Sequence, residues 1–264
     1  MLTGLYAIHL ELTSRCNKSC WMCGRRRIDK DYPDIAIKYG DMDIDLVRRI
    51  AKQIPAGMLI HFHNNGEPLV YPYFAIALRA FKHCIRHFDT NGKLLVEKAD
   101  EIIDNCNVVT VSVIPKDLES DKQYEIVKEF LKIKGNSKPR LVVRFNGDIE
   151  KSKRWKDLGI MIINRMLHHP MGSYNYEKIV VKPEIGMCLE VLNHLAIDRF
   201  GRVSPCVRFD PFNKFKIGSL HNQSINDIWN GEKRKDIVKK HINGERNTLP
   251  LCKECDYWGI PRGL

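Results

Sequence analysis

Short apolar runs alternate with longer amphipathic stretches through the first two thirds of the chain. Six runs rich in β-branched and aromatic residues predict strands at 6–13, 57–64, 84–91, 108–114, 140–146 and 159–165. Apolar residues at helical spacing predict helices between them, at 42–54, 73–83, 94–104 and 121–135. Such alternation indicates βαβ units and a parallel sheet with right-handed crossovers. We therefore predict an α/β fold, a partial (β/α)6 parallel barrel.

The pattern changes beyond residue 170. Residues 168–186 resemble a loop, and 194–207 predict a β-hairpin that turns at Phe200-Gly201. The next amphipathic segment, 224–244, predicts a helix that is capped by Ser224 and ended by Gly244. We therefore predict two domains, 1–180 and 181–264, of which the second is a small module made of a hairpin and a helix.

Composition and charge limit the classes of function. The hydrophobic content of 44% and the charged content of 28% are ordinary for a globular protein. No apolar run approaches the roughly 20 residues that span a bilayer, and the start lacks the basic region of a signal peptide, so we expect a cytoplasmic protein without a membrane partner. The net charge of +11 favours anionic partners, although a solvated basic surface explains it equally well. Nucleic acid is not expected, because aromatic residues do not interleave with the basic ones.

The nine cysteines are informative in a reducing compartment, where clustered cysteines bind metal or do redox work more often than they form disulfides. Two stand alone on apolar segments, and we predict that they are buried small hydrophobes: Cys84 and Cys106. The other seven fall into two groups, which we predict to be metal ligands: Cys16, Cys20 and Cys23, and then Cys188, Cys206, Cys252 and Cys255.

The first group has the spacing C-x3-C-x2-C directly after the first predicted strand. Three thiolates on one loop can hold a cubane iron–sulfur cluster and leave one iron without a protein ligand. A catalytic metal keeps such an open position for a substrate or cofactor. Two alternatives stay open: a zinc site that His9 or a remote residue completes, and chance clustering.

This motif resembles that of the radical S-adenosylmethionine superfamily, and Met22 before the third cysteine also fits it. The resemblance implies that the amino and carboxylate groups of S-adenosylmethionine chelate the open iron of a [4Fe-4S] cluster. It implies that reductive cleavage of the cofactor yields a 5′-deoxyadenosyl radical, which abstracts hydrogen from a substrate. A reducing partner such as flavodoxin or ferredoxin is therefore expected.

Further motifs resemble the cofactor contacts of that family. The "NGEP" segment after the second strand is similar to its G-G-E-P motif, with asparagine in place of the first glycine: Asn65, Gly66, Glu67 and Pro68. The resemblance implies that Glu67 holds the amino group of the cofactor. It also implies contacts from later strand ends, although ordinary polar strand residues are an equal alternative for the last two: Thr90, Asn91, Ser112 and Arg144.

The second group combines a hairpin cysteine, a helix containing "SINDIW" and a final C-x2-C. This arrangement resembles the Twitch form of the SPASM-type auxiliary module, and it implies a second [4Fe-4S] cluster. Four thiolates would close this cluster, so it would carry an electron rather than bind substrate. A structural zinc ion held by the same four thiolates is the alternative.

Within the superfamily, the layout is most similar to the aminocyclitol dehydrogenase of aminoglycoside biosynthesis. This implies an oxidoreductase that removes two electrons from a small polar molecule, with the second electron passing to the auxiliary cluster. The candidates for catalysis follow the sixth strand: Arg165, His168 and His169. The substrate is expected to be a small molecule, with an anion or a peptide as variants. Two alternatives remain: modification of a ribosomally made peptide, and a non-catalytic zinc protein that binds nucleic acid.

Overall fold

The computed structural model describes residues 1–36, 38–114, 120–146, 153–165, 187–207, 210, 212–253 and 255. The strands in this part of the chain are Ala7–Leu10 (β1), Leu59–His61 (β2), Ile85–Thr90 (β3), Val108–Val113 (β4), Arg140–Asn146 (β5), Met161–Arg165 (β6), His194–Ile197 (β7), Arg202–Ser204 (β8) and Gly218–Ser219 (β9). They form one nine-stranded sheet in the order β6-β5-β4-β3-β2-β1-β7-β8-β9.

The six predicted strands are present, and all of them pair in parallel. The α/β fold class is therefore confirmed, whereas the closure of the sheet into a partial barrel remains a prediction. The hairpin at 194–207 is also confirmed, because β7 and β8 are antiparallel and Gly201 turns with a φ of +70°. Sequence reasoning did not place β7 in the main sheet, yet it pairs in parallel with β1. The predicted boundary at 180 lies outside the described residues, so the two-domain division stays a prediction.

The helices are Gly24–Asp31 (α1), Pro33–Ala36 (α2), Ile44–Ala51 (α3), Phe74–Ala80 (α4), Ala99–Ile102 (α5), Ser120–Lys134 (α6), Lys153–Lys156 (α7), Leu189–Asn193 (α8), Ile225–Trp229 (α9) and Glu232–Ile242 (α10). Short 3-10 turns occupy Pro68–Val70 and Arg246–Thr248. Of the helices predicted between strands, 94–104 is mostly turns and keeps only the four residues of α5. Helix α1 was not predicted, because its arginine-rich sequence has one buried apolar residue, Ile28, and no apolar period.

The predicted helix at 224–244 is in fact two helices, α9 and α10. The break falls at Asn230 and Gly231, which are the C-cap of α9 and the N-cap of α10, and the backbone of Gly231 is extended with a ψ of 156°. Both predicted ends are confirmed. The Ser224 hydroxyl accepts a hydrogen bond from the N–H of Asp227 at 3.1 Å, and Gly244 has a φ of +74° after the last turn.

The hydrophobic core extends from the sheet into the C-terminal helices without a break. Trp229 of α9 is 1% exposed, and its indole N–H donates to the carbonyl of Thr3 at 2.9 Å. The guanidinium of Arg234 lies 3.3 Å from the centre of the same ring, which favours a cation–π contact. Cys84 and Cys106 are buried, as predicted. In the described part of the chain, no helix is long and apolar enough to cross a membrane.

Candidate active site

Strand β1 has a central position in the sheet, between β2 and β7. The loop with the first three cysteines follows β1, the "NGEP" segment follows β2, and the hairpin that leads to Cys206 begins with β7. Because the carboxyl ends of parallel strands meet at one edge, these segments gather there. The hairpin turn lies at that edge, and β8 then runs back antiparallel to β7 before it reaches Cys206, so the strand order alone does not bring Cys206 beside the first cysteine loop.

The first three cysteines are half-buried, and Cys23 is the N-cap residue of α1. Burial raises the pKa of the Cys16 and Cys23 thiols, although the backbone N–H groups of Lys18 and Arg25 favour their thiolate forms. Thiols of this kind ionise when a metal replaces their protons. The loop thus offers three soft ligands with backbone donors already directed at two of them, which fits an iron–sulfur cluster.

In neither cysteine group do three sulfur atoms of the described residues all lie within 4.8 Å of one another. Four thiolates around one zinc ion, each about 2.3 Å from it, would lie about 3.8 Å from one another. Among the described residues, the only set of three or more potential ligands whose atoms all lie within 4.8 Å contains no cysteine: His61, His87 and Asp89. Wider spacing suits a cluster of several irons. His9, which we considered as a fourth zinc ligand, packs against His61 with ring centroids 4.7 Å apart.

Glu67 is 2% exposed, and three protein donors hold its carboxylate. Its Oε1 accepts from the N–H of Leu69 at 3.1 Å and from the hydroxyl of Thr90 at 2.8 Å, and its Oε2 accepts from the N–H of Asn91 at 2.7 Å. Burial raises the pKa of Glu67 to about 7 despite these bonds. Thr90 and Asn91, two of the predicted cofactor residues, therefore contact a further one, Glu67. The Glu67 carboxylate fixes the loop after β2 to the loop after β3.

The glycine of the "NGEP" segment is required by its surroundings. Gly66 has a φ of +75°, and a Cβ atom there would lie 2.3 Å from the carbonyl oxygen of Thr13 and 2.6 Å from that of Arg15. Asn65, which departs from the family pattern, donates from Nδ2 to Oε2 of Glu11 at 2.7 Å. Burial raises the pKa of Glu11, and the amide of Asn65 partly offsets this effect. Pro68 begins the following 3-10 turn.

Asn91 connects this network to the first cysteine loop. Its Nδ2 donates to Oδ1 of Asn17 at 2.8 Å and lies 3.9 Å from the sulfur of Cys16. The backbone carbonyl of Asn91 accepts a bond of 2.7 Å from Nε2 of Gln123, a buried residue of α6. The same Nε2 donates to the carbonyl of Ser112 at 2.7 Å. Gln123 thus positions two of the predicted cofactor segments.

The structure also brings Ser112 and Arg144 together, since Nη2 of Arg144 donates to the Ser112 hydroxyl at 2.8 Å. The same nitrogen lies 2.6 Å from Oδ2 of Asp89, a residue that sequence reasoning missed. Burial opposes the ionisation of Asp89, but the guanidinium of Arg144 holds the pKa of this carboxyl well below its usual range. Nε of Arg144 is buried without a hydrogen-bond partner among the described residues, so its N–H is available to donate to a ligand oxygen.

Three cysteines of the second group lie close together: Cys188, Cys252 and Cys255. Burial, and then the neighbouring thiols of Cys188 and Cys255, raise the pKa of Cys252 to about 12. The N–H of Cys255 donates to the carbonyl of Cys252 at 3.2 Å, which forms the C-x2-C turn. Cys206 follows β8 and is half-buried. His241 was missed by sequence reasoning, although it is 1% exposed and its Nε2 lies 3.5 Å from the sulfur of Cys252.

Of the predicted catalytic residues, Arg165 ends β6 opposite Asn146. His168 and His169 lie outside the described residues. The polar residues that the structure places near this site instead come from strands with an alternating pattern. The segments "HFH" at 61–63 and "HFD" at 87–89 alternate polar and apolar residues in otherwise apolar strands, and this signal could have identified them.

A cavity of about 660 Å³ lies between the strand ends, helix α1 and the hairpin. This volume is typical of small-molecule sites. Residues next to both cysteine groups line it, and basic residues outnumber acidic ones. Its lining includes Glu11, Ser14, Arg25, Asn65, Arg199 and Cys206.

Comparison with known proteins agrees with this arrangement. Residues 188–256 match the model of the SPASM iron-sulfur cluster-binding domain. The S-adenosyl-L-methionine-dependent 2-deoxy-scyllo-inosamine dehydrogenase of Niallia circulans is 25% identical, over 94% of this chain and 92% of its own. The tungsten-containing aldehyde ferredoxin oxidoreductase cofactor-modifying protein of Pyrococcus furiosus is also 25% identical, over 95% and 88%. The crystal structure of BtrN in complex with AdoMet and 2-DOIA superposes with a TM-score of 0.56 at 20% identity, over 95% and 92%.

The fold, the two cysteine groups and the matched domain define an iron–sulfur protein of the α/β class. The comparisons agree with a radical S-adenosylmethionine enzyme that carries a SPASM-like module at residues 188–256. The predicted cofactors, iron–sulfur clusters and S-adenosylmethionine, are confirmed with it. The comparisons support an enzyme.

Proposed function

We propose that this protein is an oxidoreductase that dehydrogenates a small polar molecule, most readily one with hydroxyl groups. The observation that carries the proposal is the cavity of about 660 Å³ that adjoins both cysteine groups, because Arg25 next to Cys23 and Cys206 itself line it. A substrate in this position would lie between the two predicted cluster sites. The similarity to a dehydrogenase over nearly the whole chain supports the same reaction.

The residue assignments form part of the proposal. Cys16, Cys20 and Cys23 would hold the first cluster, and the three other half-buried or buried cysteines near Cys252 would complete the second: Cys188, Cys206 and Cys255. The backbone at Gly66 and the carboxylate of Glu67 would bind the amino group of S-adenosylmethionine. The partnerless Nε of Arg144 would donate to its carboxylate, as a charge-assisted bond.

When bound, the first cluster and S-adenosylmethionine supply the 5′-deoxyadenosyl radical that abstracts hydrogen. The protein's own residues would orient the substrate and exclude water from the site. Glu11 is 5% exposed and lines the cavity, so it is positioned to accept a proton from a bound hydroxyl group. Arg25, Lys38, Arg199 and Lys216 make the lining basic, which favours substrates that carry a negative charge or several acceptor oxygens.

The experiment combines reconstituted protein, dithionite, S-adenosylmethionine and a panel of hydroxylated probes that begins with 2-deoxy-scyllo-inosamine. We expect at least one probe to stimulate 5′-deoxyadenosine formation and to yield a ketone in equal amount. Deuterium at the oxidised carbon should appear in 5′-deoxyadenosine. If only ribosomally made peptides stimulate the cleavage, the dehydrogenase proposal is wrong and the peptide alternative takes its place.

Matched cysteine variants keep this test specific. Replacing Cys16, Cys20 and Cys23 by alanine should abolish 5′-deoxyadenosine formation. Cys84→Ala should leave it unchanged, because Cys84 is a buried cysteine outside both groups. Equal activity in both variants would show that the first cysteine group does not hold the catalytic cluster.

A further inference from the structure

A set of imidazoles that the proposed function does not use lines one face of the sheet. His9, His61 and His87 are direct neighbours on β1, β2 and β3, because the register pairs His9 with His61 and His61 with His87. Asp89 lies two residues further along β3 and therefore shares the same face, and His63 follows the end of β2 with its ring centroid 5.6 Å from that of His61. Sheets of parallel strands are usually filled by apolar side chains at such positions, so a row of imidazoles needs a separate explanation.

Three atoms of this set have the separations that ligands of one metal ion show. Oδ1 of Asp89 lies 3.2 Å from Nε2 of His61 and 3.4 Å from Nε2 of His87. Ligand atoms about 2.0–2.1 Å from a shared ion, at angles between 90° and tetrahedral, lie about 2.9–3.4 Å from one another. The described residues contain no other set of three or more such groups within 4.8 Å.

Two of these atoms lack a well-aligned hydrogen bond. Nε2 of His61 and Oδ1 of Asp89 lie 3.2 Å apart, are buried, and have no well-aligned hydrogen bond among the described residues, and the Asp89 side chain is 3% exposed. An unsatisfied buried polar group costs about 1–3 kcal/mol, and such groups are rare in native proteins. Arg144 binds the other oxygen, Oδ2, so the carboxylate is oriented with Oδ1 towards the imidazoles.

We propose that His61, His87 and Asp89 bind one divalent transition-metal ion, distinct from the two predicted clusters. Two imidazole nitrogens and one carboxylate oxygen suit Zn²⁺, Fe²⁺, Co²⁺ or Ni²⁺ better than Mg²⁺ or Ca²⁺, which prefer oxygen ligands. Three protein ligands leave coordination positions open for a hydroxyl, carbonyl or amine of a bound molecule. The site adjoins the predicted cofactor pocket, since Thr90 follows Asp89 and donates to Glu67.

Binding requires one side-chain movement. The rings of His61 and His87 stack with centroids 4.1 Å apart and planes 7° apart, so their lone pairs run parallel rather than towards one point. Metal binding requires the His87 ring, whose side chain is 21% exposed, to rotate about its Cβ–Cγ bond, and this also changes the present separation of 3.4 Å between its Nε2 and Oδ1 of Asp89. The rotation exchanges the contact of 2.8 Å between Nε2 and the Thr110 hydroxyl for the metal bond.

The test uses reconstituted protein with both clusters in place, dialysed against micromolar Zn²⁺ and analysed for zinc and iron per chain. We expect one zinc in addition to an unchanged iron content. Zinc-edge X-ray absorption should show nitrogen and oxygen neighbours at about 2.0–2.1 Å and no sulfur at about 2.3 Å. Zinc bound to sulfur with a loss of iron, or no bound zinc, would overturn the proposal.

Variants identify the ligands. His61→Gln and Asp89→Asn should each weaken zinc binding by more than the roughly tenfold that loss of an outer-shell partner costs. His83→Gln should bind zinc as the wild type does, because His83 contacts the carbonyl of Ile54 away from the set. A melting curve and iron content establish that each variant is folded, and His87→Gln replaces any variant that is not. Wild-type zinc affinity in two folded ligand variants would refute the assignment.

Discussion

At the scale of single residues, the site depends on close backbone approaches and on buried carboxylates. Gly66 packs against the carbonyl oxygens of the first cysteine loop, and Glu67 joins the ends of β2 and β3. The sequence motif predicted both positions as cofactor contacts, because their types match a known pattern. It did not predict that Glu67 is held by three protein donors, since the partners of Glu67 come from distant segments of the chain.

The first residue-scale prediction concerns Gly66→Ala. The new Cβ atom would overlap the carbonyl oxygen of Thr13, so the loop after β2 must move and S-adenosylmethionine binding should weaken at least tenfold. Gly57→Ala is the matched control, because Gly57 has a φ of +80° but open space around its Cα. Both variants carry the backbone strain of about 1–2 kcal/mol, and equal cofactor affinity in both would contradict the role of the close approach. Equilibrium binding of S-adenosylmethionine to each reconstituted variant measures the two affinities.

The second residue-scale prediction concerns how the contribution of Glu67 to folding stability depends on pH. Because burial raises the folded-state pKa to about 7 from an ordinary value of 4.5, the protonated form favours folding. That stability is fully present below pH 4.5 and is lost as the pH rises through about 7, by about 1.4 kcal/mol for each pH unit between the two values. The glutamine of the Glu67→Gln variant cannot ionise. The free energy of unfolding of the wild type, relative to that of this variant, should therefore fall as the pH rises from 4.5 to about 7. Denaturant titrations of cluster-free protein at several pH values measure the difference, and a flat difference would contradict the raised pKa.

At the scale of elements, periodicity predicted the strands and the hairpin, because buried strands carry long apolar runs. It failed for α1 and for the break between α9 and α10. Helix α1 follows the cysteine loop and buries one apolar side chain, and the break is a single extended residue, Gly231, inside an otherwise continuous amphipathic segment. Tertiary contacts of this kind leave no periodic signal.

The capping box of α9 provides the element-scale prediction. The Ser224 hydroxyl accepts from the N–H of Asp227, and the N–H of Ser224 donates to the Asp227 carboxylate at 3.3 Å. Ser224→Ala removes the cap and should destabilise the protein by about 1 kcal/mol. Ser224→Thr keeps a hydroxyl and should recover most of this loss. The midpoint of urea unfolding measures both changes, and equal midpoints for the alanine and threonine variants would contradict the capping role.

At the scale of the whole molecule, the order of strands assembles the site. Strand β7 pairs in parallel with β1, so the hairpin turn lies at the sheet edge from which the first cysteine loop leaves, and Ser14, Arg25 and Cys206 line one cavity. Sequence reasoning separated these regions, because the four-residue strand β7 is too short to distinguish from one arm of a hairpin. The motifs identified the ligands of each cysteine group, because the ligands within a motif are close in sequence. The cavity between the two groups depends on strand pairing, which no motif encodes.

The final prediction tests whether the two cysteine groups act separately. Reconstituted wild-type protein should contain about eight irons, from two four-iron clusters, and Cys252→Ala with Cys255→Ala should contain about four. Formation of 5′-deoxyadenosine should persist in this variant, because Cys16, Cys20 and Cys23 are unchanged. Ketone formed per 5′-deoxyadenosine should fall steeply, because the second electron of the oxidation lacks its acceptor.

Folding must be separated from electron transfer in this experiment. Cys252 is buried beside His241 of α10, so loss of its metal can also loosen the helix. Cys84→Ala with Cys106→Ala is the matched control, since it removes two buried cysteines outside both groups and should keep about eight irons and the wild-type product ratio. Melting curves compare the stability of the two double variants. If the folded Cys252 and Cys255 variant keeps the wild-type ratio of ketone to 5′-deoxyadenosine, the second group is structural, and the second electron of the oxidation goes to another acceptor.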